Sequence, residues 1–177
     1  MLYSDHEVVN GFVMDWCRWT PAKCNIHVWR MEMDRIPTRD ALRKRNIIIE
    51  DSLCPLCRSE EENTEHIFTS CFIASTVWNG INSWCKIPSI LAFSTRDLLD
   101  FHTVLSGSER KKEAVQGIII ISCWCLWRAR NNVGFSNSPI KIENILSEVK
   151  ALGFLWFSLR SKHKGIEWKD WCSFVNM

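Results

Sequence analysis

The sequence predicts a mainly α-helical protein, in which a small zinc-stabilised helical module is followed by a helical C-terminal region. Three observations carry this. Apolar residues recur at the spacing of one helix face in several stretches, most clearly Ile142, Ile145, Leu146, Val149, Leu152, Trp156 and Leu159. Three cysteines and a histidine, Cys54, Cys57, His66 and Cys71, fall within eighteen residues at the spacing of a four-ligand metal site. A length of 177 residues, 46% of them hydrophobic, is enough for one substantial core or two small ones.

The metal segment organises the chain. Cys54-Pro55-Leu56-Cys57 presents two sulfurs on a tight turn, and Pro55 fixes a φ that the turn needs. Eight residues separate Cys57 from His66, and four separate His66 from Cys71. Thr64 is positioned to N-cap a short helix that carries His66 in its first turn and Cys71 at its end. Zn²⁺ takes four N/S ligands tetrahedrally, so these four residues fill its coordination sphere and leave no open position for an activated water. The expected site is structural. The competing reading makes Cys54 and Cys57 ordinary buried thiols and His66 a core histidine. A second set, Cys17, Cys24 and His27, lacks a fourth ligand nearby and is expected to pack among tryptophans.

In chain order, Pro21 separates an extended piece from a helix over about Asn25–Asp34. Thr38 then N-caps a helix with Asp40 in its first turn and Arg43-Lys44-Arg45 in its last, matching the helix dipole. Ile47–Ile49 forms a short strand or an extended link. Around the metal ligands the charge turns negative, and Glu50, Asp51, Glu60, Glu61, Glu62 and Glu65 read as a solvated loop, with Glu65 a candidate to orient His66. From Cys71 a helix follows with Ala74, Val77, Trp78, Ile81, Trp84 and Cys85 on one face. A short helix is expected at Thr95–Phe101, then a polar break at Ser106-Gly107-Ser108. Glu109–Arg130 reads as a long helix, apolar all round in its middle and therefore central to a bundle or an interface. Ser138-Pro139 supplies an N-cap and a first-turn proline for the last long helix. This divides the chain into a zinc-binding domain at 1–88 (core 12–85), a linker at 89–108 and a helical region at 109–177.

Composition narrows the function. Twenty-two Lys and Arg against 20 Asp and Glu give a net charge of +2, so no bulk polycation drives nucleic-acid binding. Ten tryptophans imply large buried surfaces or an interface. The polar start of the chain reads as lacking a signal peptide, and nine scattered cysteines then suit a reduced, intracellular setting in the nucleus or cytoplasm. The most apolar run, Ala114–Trp127, is shorter than the ~20 residues that span a bilayer, so no membrane partner is expected. No Gly-rich phosphate loop, no Gly-x-Ser-x-Gly elbow and no paired catalytic aspartates occur, so neither an enzyme active site nor a small-molecule substrate is expected.

The order of these pieces is similar to a known family. Trp16-x2-Trp19-x-Pro21-x-Lys23, Val28-Trp29-Arg30, Ile36-Pro37-Thr38-Arg39-Asp40-x-Leu42-x2-Arg45, Leu53-Cys54-Pro55-Leu56-Cys57, Glu62-x-Thr64-Glu65-His66-Ile67-Phe68, Cys71 and Trp78 resemble the zinc-binding region downstream of plant non-LTR (LINE-type) retrotransposon reverse transcriptases. The likeness covers about residues 12–85 and continues loosely through Trp124-x2-Trp127-x-Ala129-Arg130 and Trp168-x2-Trp171-Cys172. It implies Zn²⁺ on Cys54, Cys57, His66 and Cys71, and a role in holding RNA or DNA for a polymerase whose catalytic aspartates are not in this chain. On that reading Arg35, Arg39, Arg43 and Lys44 form a basic edge for phosphates beside the metal, with Arg160–Lys164 as a further basic patch. The alternatives are a protein-interaction module and a decayed fragment of such an element.

Overall fold

Ile118-Ile119-Ile120-Ile121 alone would suit a strand, but charged residues flank it over a stretch long enough for a helix, and the helix wins. A computed structural model describes residues 14–136, 139–175 and 177. In it this stretch forms the longest helix of the protein, Glu109–Ser136. Among the described residues the architecture is mainly helical without strands, and one isolated antiparallel bridge joins Leu53 to Glu61. The helices are α1 (Ala22–Glu32), α2 (Arg39–Lys44), α3 (Phe72–Cys85), α4 (Thr95–Val104), α5 (Glu109–Ser136), α6 (Ile142–Arg160) and α7 (Trp168–Ser173), with a π-helical turn at His66–Ser70 before α3.

Helix α5 is the axis. It packs on α1, α4, α6 and the π-turn, which accounts for apolar side chains on all its sides. Val115, Ile118, Ile121 and Leu126 are fully buried, and the one polar residue among them, Ser122, donates to the carbonyl of Ile118. The buried cluster runs from Met14 to Phe174, so residues of the 1–88, 89–108 and 109–177 segments share one core. The 89–108 segment itself carries α4, closed by a capping box in which Ser94 and Asp97 each accept from the other's backbone amide.

Tryptophan sets the inter-helix distances. Trp19 packs against α5 at Gly117, where a Cβ would overlap its ring. Its Nε1 donates to the Glu113 carbonyl at 3.0 Å, and its ring meets Phe157 of α6 edge-on at 5.0 Å. Trp171 of α7 repeats this arrangement on α6. It covers Gly153, where a Cβ would lie 2.8 Å from the ring, and donates to the Lys150 carbonyl. Trp84 of α3 donates in turn to the Trp171 carbonyl, and Trp78 to that of Phe68. Each of these buried indole N–H groups thus has a carbonyl partner, as burial of a polar group requires.

Several local expectations are corrected. Helix α1 begins at Ala22, directly after Pro21, because proline's missing N–H costs nothing ahead of a first turn. Asn63, not Thr64, caps the turn before the metal segment, with its Oδ1 accepting from the His66 amide at 2.8 Å. Thr64 is buried and donates to Asp34 instead. Helix α6 starts three residues later than expected, with Lys141 at its N-cap; Pro139 is non-helical and Ser138 lies outside the described residues. The buried line of α6 is Ile145, Val149, Gly153 and Phe157, whereas Leu159 is exposed. The glycine is invisible to a hydrophobic stripe, yet its missing side chain is what admits Trp171.

Gly117→Ala is expected to cost about 2–3 kcal/mol by forcing Trp19 out of its slot. Gly134→Ala, at an exposed α5 position where a Cβ meets nothing closer than 3.8 Å, should gain up to about 1 kcal/mol of helix propensity. Urea midpoints followed by circular dichroism test the contrast.

Candidate metal centre

The ligand-bearing segment is built from two small devices. In the first, the Leu53–Glu61 bridge and the Cys54 amide donating to the Glu60 carbonyl at 2.7 Å close a loop around Cys54–Cys57. Arg58 ends that turn with φ +59°, a left-handed conformation that a non-glycine residue adopts at some cost. In the second, the chain winds as a π-turn, with the Cys71 amide donating to the carbonyl of His66, five residues back, at 2.7 Å. The wider winding brings Cys71 round to the side of His66, and Cys71 then serves as the N-cap residue of α3.

The two devices face each other. The sulfurs of Cys54, Cys57 and Cys71 and a ring nitrogen of His66 all lie within 4.8 Å of one another. His66 turns Nε2 toward Cys57, 3.2 Å from its sulfur, and its Nδ1 lies 3.4 Å from the Ser70 hydroxyl. Cys54, His66 and Cys71 are buried, and Cys57 is half-buried. The Cys71 thiol is lowered first by a hydrogen bond with Cys54 and further by the Ala74 and Ile73 amides at the start of α3, while burial opposes both. Cys54 is raised, first by that same hydrogen bond and then by burial.

The carboxylates around the site behave differently from a solvated loop. Glu50, Glu60 and Glu61 are not buried, but Glu62 is fully so. Its two oxygens accept from Nε and Nη2 of Arg130 on α5 at 2.9 and 2.6 Å, and Oε1 also accepts from the Arg39 amide at 2.8 Å. The Glu62 carbonyl takes the Asp40 amide as well, so this one residue closes the N-terminus of α2 beside the Thr38 cap. Glu65 does not reach His66. It accepts from the backbone and side chain of Thr95 at the start of α4, and burial raises its pKa.

The basic edge is interleaved with acids. Arg39 pairs with Asp51 at 2.7 Å and donates to the Leu53 carbonyl at 2.6 Å, which ties α2 to the metal loop. Arg43 lies 3.6 Å from Glu61, and Lys44 lies 2.7 Å from Asp40. Arg35 is exposed. Asp51 is held below the usual carboxylate range, first by the Leu53 amide and then by Arg39.

Cys17, Cys24 and His27 form no metal cluster among the described residues. Burial pushes the Cys17 thiol up to about 12 and the Cys24 thiol to about 11. His27 sits among the rings of Phe68, Trp124 and Trp127 with its Nε2 unpartnered. Burial, aided by Arg30, lowers it to about 4.

These observations define a helical domain with a closed Cys₃His cluster held between a tight turn and a helix start. Residues 1–78 match the family described as zinc-binding in reverse transcriptase, a stretch that includes all four cluster residues. No curated protein and no solved structure matches the chain. No helix among the described residues is long and apolar enough to cross a membrane.

Arg130→Met should destabilise the fold by about 3–5 kcal/mol because it strands the buried Glu62 carboxylate, and adding Glu62→Leu should recover much of the loss. A double-mutant cycle in urea tests this. His27 gives a pH signature. Its folded pKa of about 4 lies below its ordinary 6.5, so the unfolded chain takes up a proton that the fold refuses. Stability is unaffected above pH 6.5 and falls as the pH drops toward 4, by roughly 2 kcal/mol between pH 7 and pH 5. His27→Leu should remove that increment, measured as the difference in urea midpoints at the two pH values.

Proposed function

We propose that the chain is a zinc-stabilised accessory module of a reverse transcriptase of the non-LTR retrotransposon kind, and that it helps hold RNA or DNA without performing polymerisation itself. The observation that carries the reading is the convergence of four soft donor atoms inside a segment that matches the zinc-binding family. Three sulfurs and one imidazole nitrogen suit Zn²⁺. A tetrahedral Zn–S distance of about 2.3 Å places sulfurs roughly 3.8 Å apart, so the cluster needs only a slight contraction to close on an ion. Full coordination by protein supports a structural role, in which the ion fastens the Cys54–Cys57 turn to the start of α3.

Nucleic-acid contact on this reading uses cations beside that module. Arg35, Arg39, Arg43 and Lys44 lie on or next to α2. Of these Arg35 and Arg43 are the better placed for phosphates, since Arg39 is tied to Asp51 and Leu53. A protein-interaction role is the second reading, favoured by exposed apolar residues such as Ile48 and Phe135 around a hollow of ≈ 490 Å³ between α2 and α5.

Purified protein should contain one zinc per chain by elemental analysis. Cys57→Ser should lower that content and melt the segment from about Leu53 to Trp78, read as lost amide-exchange protection. Native protection with unchanged metal in that variant would sink the proposal.

A further inference from the structure

A second surface bearing cations lies where the chain entering α1 meets the start of α5 and the end of α6, and none of the cluster residues lines it. There Asp15, Trp16, Arg18, Glu113, Arg160 and Lys162 line an open hollow of ≈ 420 Å³. Trp16 is 47% exposed, unlike Trp19 three residues on, so it offers an indole face to whatever enters. Arg18 and Arg160 are both exposed, and among the described residues neither has an ion-pair partner. Glu113 is already engaged: Lys162 lies 3.4 Å and His163 3.1 Å from its carboxylate.

The contrast with the α2 edge is chemical. Arg39, Arg43 and Lys44 each face a carboxylate of the module itself, and Asp34, Asp40 and Glu65 line a hollow beside Lys44. A phosphate arriving there competes with anions already in place. The Trp16 hollow also carries acids, Asp15 and Glu113, but among the described residues neither pairs with Arg18 or Arg160, and guanidinium forks match phosphate oxygens bidentately. Together a half-exposed indole and two guanidinium groups without an ion-pair partner among the described residues suit a phosphodiester carrying an unpaired base.

We infer that the Trp16–Arg18–Arg160 hollow binds one nucleotide step of a single-stranded nucleic acid, with the base stacked on Trp16 and the adjoining phosphate held by Arg18 and Arg160. This rests on the nucleic-acid reading above and assigns its main contact to a different face. Lys162 adds long-range attraction while leaning on Glu113.

The test uses the 177-residue, zinc-loaded chain and fluorescein-labelled dT12 and rU12, read by anisotropy over a salt series. Arg18→Ala with Arg160→Ala should weaken binding by about tenfold or more and flatten the log–log salt slope by about 0.7, one phosphate's worth for a single strand. Trp16→Ala should weaken it by about tenfold with the slope unchanged, and Trp16→Phe should retain most of the affinity. All three side chains are exposed, so circular dichroism and zinc content should match wild type. If wild type binds and only Arg39→Ala with Arg43→Ala weakens it, the hollow is refuted while the nucleic-acid reading stands. If wild type binds neither oligonucleotide at about 20 mM salt, where phosphate contacts are strongest, both fall. Displacement of the oligonucleotide by poly-glutamate with the same dependence on Trp16 would reassign the hollow to an acidic protein.

Discussion

The buried carboxylate of Glu62 is the constraint around which the metal segment is assembled. A charge with no access to water has to be matched in full by donors at short range. The donors come from places far apart in sequence: the Arg130 guanidinium on α5 and the Arg39 amide at the start of α2. Satisfying one side chain therefore fixes the distance between the long central helix, the short basic helix and the cysteine loop. Arg130 also stacks over Trp127 at 5.1 Å, which holds its plane in register. The cluster of sulfurs and imidazole sits in the same segment that this ion pair ties to α5.

Legibility in the sequence followed the range of the physics involved. Although α5 runs on to Ser136, past the expected end at Arg130, local rules sufficed for its start at Glu109, for Thr38 as a cap and for the buried face of α3, because each depends on neighbours within a few turns. The meeting of the four cluster residues was legible for the same reason, since Cys54 and Cys57 share one turn and His66 and Cys71 share another. The fate of Glu62 was not. Its acidic neighbours made the whole run look solvated, and its partner lies 68 residues away with no local mark. The same holds for the cations of α2, whose spacing on a helix face says nothing of Asp51 and Glu61 across from them. A hydrophobic stripe also misread α6, because it scores Leu159 above the bare backbone of Gly153.

The tryptophan content has a structural explanation that does not require an interface. Trp19, Trp78, Trp84 and Trp171 each bury an indole and return its N–H to a carbonyl of another element or turn. They sit between helices within a core that is otherwise largely aliphatic. Trp16 and Trp168 are the exposed tryptophans among the described residues, and Trp16 lies beside arginines that have no ion-pair partner there.

The slot at Gly117 has one more implication. Trp19 belongs to the stretch that matches the zinc-binding family, whereas the helix that receives it begins 31 residues beyond that stretch's last position, at Glu109. The length of chain that carries the family likeness and the length that folds as a unit are therefore different. A piece severed at residue 78 would keep every cluster residue yet leave a large aromatic ring and the inner face of α1 wet, inviting self-association. Any fragment meant to isolate the zinc region must carry the later helices along as its lid.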